Sequence, residues 1–176
     1  MKKIKFFSKQ TAWVFTVSVA VSAVVFGLVS ESNHRQQMDY ADLADKDLLS
    51  HQHKVEVWKD PNCGCCTEWV KHMEDNGFQV VVHNTGNREA RDELGMPQKY
   101  GACHTAKVDG YVIEGHTPAT DIRRLLKEKP EALGLATPGM PLGSPGMDGE
   151  MYQNRKHPYD VLLVAKNGSN QIYQSY

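Results

Sequence analysis

Lys54-Val55-Glu56-Val57-Trp58-Lys59, Asp60-Pro61-Asn62 and Cys63-Gly64-Cys65-Cys66 follow one another without a gap, and their reading decides the fold. Val55 and Val57 alternate with polar neighbours, the pattern of a half-buried strand. Asp60-Pro61-Asn62 supplies a turn. A helix then begins near Thr67: Cys66, Trp69, Val70 and Met73 fall at i, i+3, i+4 and i+7, and Asn76-Gly77 closes it. The three cysteines therefore lie on a strand-to-helix corner. Free backbone N–H groups and the positive end of the helix dipole favour a thiolate there. A thiolate is both a nucleophile and a metal ligand, so the corner suits a redox enzyme or a metal site. Cys66 shares the core-facing stripe and should be the least accessible of the three thiols. Met73 on the same stripe is a core residue before it is a ligand.

Downstream, Phe78-Gln79-Val80-Val81-Val82-His83 reads as a second strand, apolar enough to be buried on both faces. Strand, helix and strand in that order imply a right-handed parallel crossover. Asn84 to Leu94 is polar and predicts a short surface helix, broken by Gly95-Met96-Pro97. His72 and His83 lack any partner spacing and read as ordinary surface or strand-end histidines. Thr105–Val108 and Tyr111–Glu114 flank Asp109-Gly110, a two-residue hairpin signal. Thr117 is placed to cap a helix with Pro118 at its first position. Ile122, Leu125 and Leu126 form the buried stripe of that helix. The order β-α-β-α-β-β-α predicts an α/β fold, a thioredoxin-like mixed sheet with flanking helices over residues 54–136.

From Thr137 the composition changes. Thr137-Pro138-Gly139-Met140 recurs as Ser144-Pro145-Gly146-Met147, with Met151 close behind. The Pro-Gly pairs predict a turn-rich loop. Its thioethers suit Cu(I), which makes Met140 and Met147 weak candidate ligands, although methionine also fills gaps against a core. Tyr159–Lys166 and Asn170–Tyr173 flank Asn167-Gly168, a C-terminal hairpin that should extend the same domain over 137–176. Asn167-Gly168-Ser169 also fits a glycosylation acceptor, but the turn explains the dipeptide better.

The chain has 176 residues and 40% apolar composition, the size of one domain. Residues 1–30 stand apart. Lys2, Lys3, Lys5 and Lys9 precede an uncharged, largely apolar run from Thr11 to Val29, and Ser30-Glu31-Ser32 offers a small-x-small cleavage site. This is the pattern of a secretory signal peptide, with an uncleaved membrane anchor as the alternative. Either exports the domain, and any membrane contact runs through this segment. Residues 31–53 read as a polar linker, and the histidines of His51-Gln52-His53 as linker residues before metal ligands. Residues 1–30 hold four lysines and no acid, which leaves 16 basic against 21 acidic side chains beyond them. A domain of net charge −5 excludes nucleic acid as a partner class.

An exported compartment permits two disulfides from four cysteines. However, Cys65 and Cys66 are adjacent and Cys63 and Cys65 only one apart, so a bridge within either pair would be strained. Cys63–Cys66 is the local pair with good C-x-x-C precedent. In a thioredoxin-like fold, the segment entering the hairpin packs against the cysteine corner and normally carries a cis-proline. Here that segment is Gly101-Ala102-Cys103-His104-Thr105. A fourth thiol and an imidazole replace the proline, which should bring Cys103 within bonding reach of Cys63, Cys65 and Cys66. Structural zinc usually draws its thiolates from two C-x-x-C pairs. Adjacent thiolates fit several bridged soft ions better, and thiolates with His and Met favour copper, above all Cu(I).

Several stretches together resemble the CopG-type periplasmic copper-resistance proteins. They are Cys63-Gly64-Cys65-Cys66, Gly101-Ala102-Cys103-His104, Glu114-Gly115-His116-Thr117-Pro118, Ala132-Leu133-Gly134-Leu135-Ala136, Pro138-Gly139-Met140-Pro141 and Gly143-Ser144-Pro145-Gly146-Met147. The match covers roughly residues 54–152. The resemblance implies a thioredoxin-like fold with copper bound by Cys63, Cys65, Cys66 and Cys103. It also implies a periplasmic role in copper tolerance beside efflux and oxidase systems, and it leaves copper redox chemistry open. His104 is a further candidate ligand beside Cys103. His116 is weaker, since helix capping by Thr117-Pro118 explains its segment. The rival is a periplasmic thiol–disulfide oxidoreductase with Cys63 as nucleophile and Cys66 as resolving thiol. Cys65, Cys103 and the missing cis-proline count against it.

Overall fold

β1 (Lys54–Lys59) runs through the centre of the cysteine-bearing half of the molecule, with Val55 and Val57 fully buried. In the computed structural model, which describes residues 53–176, it is paired on both sides. β2 (Gln79–His83) lies parallel to it, from Lys54 opposite Gln79 to Trp58 opposite His83. β3 (His104–Val108) lies antiparallel, with Lys59 opposite His104. The expectations for residues 1–30 and for the linker up to residue 52 fall outside the described residues.

α1 (Gly64–Asp75) joins β1 to β2 as the crossover, and α2 (Arg88–Glu93) follows β2. β3 and β4 (Tyr111–Gly115) form the hairpin on Asp109-Gly110, both with positive φ (46° and 88°), the backbone that a two-residue turn demands. α3 (Ala119–Glu128) leads to β5 (Gly134–Thr137), which pairs parallel to β4. This second β-α-β crossover is announced by no alternation in the sequence, because the strand has four residues and starts on glycine. β6 (Asp160–Val164) and β7 (Asn170–Ser175) complete a seven-stranded mixed sheet of order β2-β1-β3-β4-β5-β6-β7. The first four strands have the predicted thioredoxin arrangement, and the C-terminal hairpin extends the same sheet.

Strand alternation divides the core between the two sheet faces. Val57, Ala106, Ile113, Leu135 and Val161 pack with Trp69, Val70 and Met73 of α1 and Ile122 and Leu125 of α3. Val112, Ala136 and Val164 face the other way, against Met96 and Tyr100 of the segment after α2. Each side chain of that size removed from water contributes about 1.5–3 kcal/mol, so the larger cluster is what seats α1.

Four local expectations differ. β2 is an edge strand with Val82 37% exposed, not one buried on both faces. An uninterrupted valine run cannot distinguish an edge from a centre, since position in the sheet is set by other strands. Thr117 does not cap α3: Pro118 holds the N-cap position, and the Thr117 hydroxyl turns inward to Thr137 Oγ1 at 3.0 Å and the Glu114 carbonyl at 3.4 Å. His72, instead of idling at the surface, accepts the Ala119 N–H at 3.1 Å and so satisfies the start of that helix. The second hairpin centres its turn on Lys166-Asn167, with the Ala165 carbonyl accepting from Gly168 N–H and Gly168 following at φ 80°.

Candidate metal centre

α1 begins earlier than the apolar stripe alone suggests, at Gly64, which puts Cys65 and Cys66 in its first turn. Cys63 is the N-cap, and its sulfur accepts the Cys66 N–H at 3.3 Å. An Asx turn on Asp60 prepares this cap: Asp60 Oδ1 accepts from Asn62 N–H at 2.8 Å and its carbonyl from Cys63 N–H at 3.1 Å. Cys66 is fully buried and the other three cysteines are half-buried, the ranking that the helix stripe predicts. Cys63 and Cys66 form a disulfide, whereas Cys65 and Cys103 are free thiols.

The four sulfurs come together. All lie within 4.8 Å of one another, with Cys63 Sγ 3.5 Å and Cys103 Sγ 3.9 Å from Cys65 Sγ. Cys66 Sγ also contacts the Cys103 carbonyl at 3.6 Å. A second donor group shares Cys103, whose sulfur lies 3.5 Å from His104 Nδ1 and 3.0 Å from His116 Nε2. No peptide bond among the described residues is cis, so Cys103 reaches the corner on an all-trans backbone.

His116 is the best-oriented of the imidazoles. Its Nδ1–H donates to the Pro145 carbonyl at 2.8 Å, which leaves Nε2 as the unprotonated nitrogen facing Cys103. A carbonyl behind the ring is a common device for fixing the tautomer of a ligating histidine. Burial lowers its pKa, which favours the neutral ring. Thr117 does not cap the following helix, so capping does not account for the His116-Thr117 pair. His104 is fully buried between Trp69, at 4.4 Å between ring centroids, and His116, at 4.9 Å edge-on. Burial first, then the neighbouring His116, holds it well below the usual histidine range. Its Nε2 has no hydrogen-bond partner among the described residues. Burial, reinforced by the Cys65 thiol alongside, pushes the Cys103 thiol up to about 12.

The repeat Ser144-Pro145-Gly146-Met147 presses on the corner. A Cβ on Gly146, at φ 82°, would stand 2.5 Å from the Cys65 carbonyl oxygen and 2.9 Å from Trp69 N. Only glycine allows that approach. Met147 is 8% exposed and packed, whereas Met140 and Met151 are 53% and 84% exposed. The two repeats therefore differ: one holds its thioether inside, the other offers it to solvent.

Pattern reading missed what holds Cys103. Arg91 of α2 and Glu114 of β4 form a buried pair, with Nε to Oε1 at 2.9 Å and Nη2 to the same oxygen at 2.8 Å. Burial raises the Glu114 pKa against the opposing pull of Thr105, Ala102 and Arg91. An acid at the end of Tyr111-Val112-Ile113-Glu114 was the available signal, since an apolar strand rarely ends on a buried carboxylate without a partner.

The donor set is soft: a group of four sulfurs and a second group of Cys103 with two buried imidazoles fit copper or zinc chemistry better than magnesium or calcium. Comparison with known proteins narrows it. Residues 100–147 match a family described as proteins of unknown function, DUF411. No curated protein matches the chain. Two solved structures do. One, a copper resistance protein CopG in its form 2, is 40% identical, with 72% of this chain and 99% of that one aligned at a TM-score of 0.66. The other, CopG form 1, is 41% identical over 70% and 96% of the two chains at a TM-score of 0.64. The chain belongs to the CopG family. Membership and the cysteine cluster together fit this CopG chain to a copper-binding role.

Proposed function

We propose that this CopG chain is an exported, periplasmic protein of copper resistance that holds Cu(I) through the thiolates of Cys63, Cys65, Cys66 and Cys103. The convergence of all four sulfurs within 4.8 Å carries this reading. Sharing of thiolates among several ions follows from the adjacency of Cys65 and Cys66, and His116 and His104 extend the donor set past Cys103. The signal-like residues 1–30 support export, with efflux or oxidase components of the periplasm as partners.

The disulfide-closed and four-thiolate states exclude each other. Closure leaves Cys65 and Cys103 as the free thiols, and two electrons reopen the full set. The same balance supports copper redox activity. Two Cu(II) ions accept one electron each as the Cys63–Cys66 dithiol closes to a disulfide and releases two protons. A second reading, a thiol–disulfide oxidoreductase, is favoured by one observation: Cys63 is the more exposed member of a closed C-x-x-C pair.

Competition between Cu(I) and Zn(II) for the anaerobically reduced protein tests the proposal. Cu(I) should displace zinc, and reduction should raise the copper stoichiometry. Stoichiometric zinc that Cu(I) cannot remove would refute it. Accumulation of mixed disulfides by Cys66→Ser, without copper binding by wild type, would favour the second reading.

A further inference from the structure

The residue before Cys103 is gripped at every polar group. Ala102 N–H donates to Glu114 Oε1 at 2.7 Å, and its carbonyl accepts from Arg91 Nη2 at 2.6 Å and Asn87 Nδ2 at 3.1 Å. Thr105, two residues past Cys103, donates its hydroxyl to Glu114 Oε2 at 2.6 Å. Ala102 is also pinned from beneath, because a Cβ on Gly115 would stand 2.6 Å from the Ala102 Cβ. One carboxylate thus holds the chain on both sides of Cys103, and its own partner guanidinium holds the intervening carbonyl.

We propose that Arg91 and Glu114 are positioning residues for the copper site: they clamp the Ala102 peptide groups and so aim Cys103 Sγ at Cys65 and His116, in the place where a cis-proline would otherwise set the segment. Stability is a poor reason for such a pair. Two charges withdrawn from water lose much of their mutual attraction to desolvation, and apolar residues of similar volume often serve as well or better. What the apolar pair cannot do is bond both polar groups of one peptide residue. The clamp therefore fixes position rather than adding stability. Its role in copper binding rests on the reading of Cys103 as a ligand; the geometric part does not.

The test compares full-length wild type, Arg91→Met/Glu114→Leu and the near-isosteric Glu114→Gln. Two readouts are taken beside thermal denaturation. One is capture of a trivalent arsenical across Cys65 and Cys103 in the disulfide-closed protein, which needs two converging thiols and no copper. The other is Cu(I) affinity after reduction. The double variant should fold, lose arsenical capture and bind Cu(I) about 10–100-fold more weakly, the usual cost of removing a residue that orients a metal ligand. Glu114→Gln keeps an acceptor for Ala102 N–H and should lose less of both. A folded double variant with wild-type capture and affinity would overturn the proposal. So would a double variant that fails to fold while Glu114→Gln captures arsenical like wild type. Arsenical capture that depends on the clamp, in a wild type that binds no copper, would sustain the clamp and refute the copper reading.

Discussion

The Cys63–Cys66 corner and the Gly101–His104 segment meet at the same cluster but are built in opposite ways. The corner is local. An Asx turn, a sulfur N-cap and a four-residue apolar stripe, all within residues 60–75, place the three thiols of residues 63–66. The segment is held from afar: Arg91, Glu114, Gly115 and Pro145 each act on it or on the histidine beside it. The corner therefore depends on its own neighbours in sequence, and the Cys103 segment on side chains from other elements of the fold.

The sharpest break of this contrast is Cys65→Ser. Cys65 is half-buried, forms no disulfide and adds no sulfur to the core stripe, so the fold and the Cys63–Cys66 bridge should both survive. It touches sulfurs on both sides, Cys63 and Cys103. Cu(I) affinity should fall by well over tenfold, more than about 1.4 kcal/mol. Titration against a competing Cu(I) chelator measures it. Unchanged copper content would mean that the four-sulfur cluster is not the site.

Gly146→Ala attacks the remote half. The added Cβ collides with the Cys65 carbonyl and must push the Pro145–Met147 loop off the helix, in a backbone region unfavourable to side chains. Overpacking of this kind costs about 1–3 kcal/mol of stability. As the loop lifts, His116 loses the Pro145 carbonyl that holds its tautomer. The expected result is a lower denaturation midpoint and a copper affinity reduced by less than in Cys65→Ser, with the disulfide still forming. If affinity held while stability fell, His116 would have no part in copper binding.

The same division explains what was legible in the sequence. The corner, the β3–β4 hairpin and the order of the first four strands follow from periods and turn residues that act over a few positions. Cys103 could be brought to the corner because the fold order fixes that segment. The clamp was legible only in part: Glu114 signals a buried acid in need of a partner, but Arg91 lies 23 residues away and no local pattern names it. The inward turn of Thr117 was hidden for a related reason. Thr117-Pro118 is a good local capping signal, and tertiary packing overrode it by drawing the threonine towards Thr137. β2 at the edge and the glycine-led β5 are likewise consequences of sheet position, which single segments do not encode.

The methionines give the smallest and most discriminating effect. Met140 and Met151 are exposed on the loop that follows β5, whereas Met147 is packed beside Gly146, the residue that touches the corner. If the loop delivers copper, the exposed thioethers are the ones able to meet a donor, and Met147 serves packing. Leucine removes the sulfur while keeping most of the apolar volume, a swap that usually costs under about 1.5 kcal/mol. Met140→Leu/Met151→Leu should therefore leave stability and equilibrium copper affinity close to wild type, because the thiolates still hold the ion. Its rate of Cu(I) uptake from a weak donor should fall. Met147→Leu should show the reverse, a small stability change with the uptake rate unaltered. Stopped-flow transfer and denaturant unfolding on the two variants separate these effects. Equal uptake by the double variant and wild type would leave both repeats with a purely structural task, and the suspended half of the site would then owe its loop to the Pro145 carbonyl and Gly146 alone.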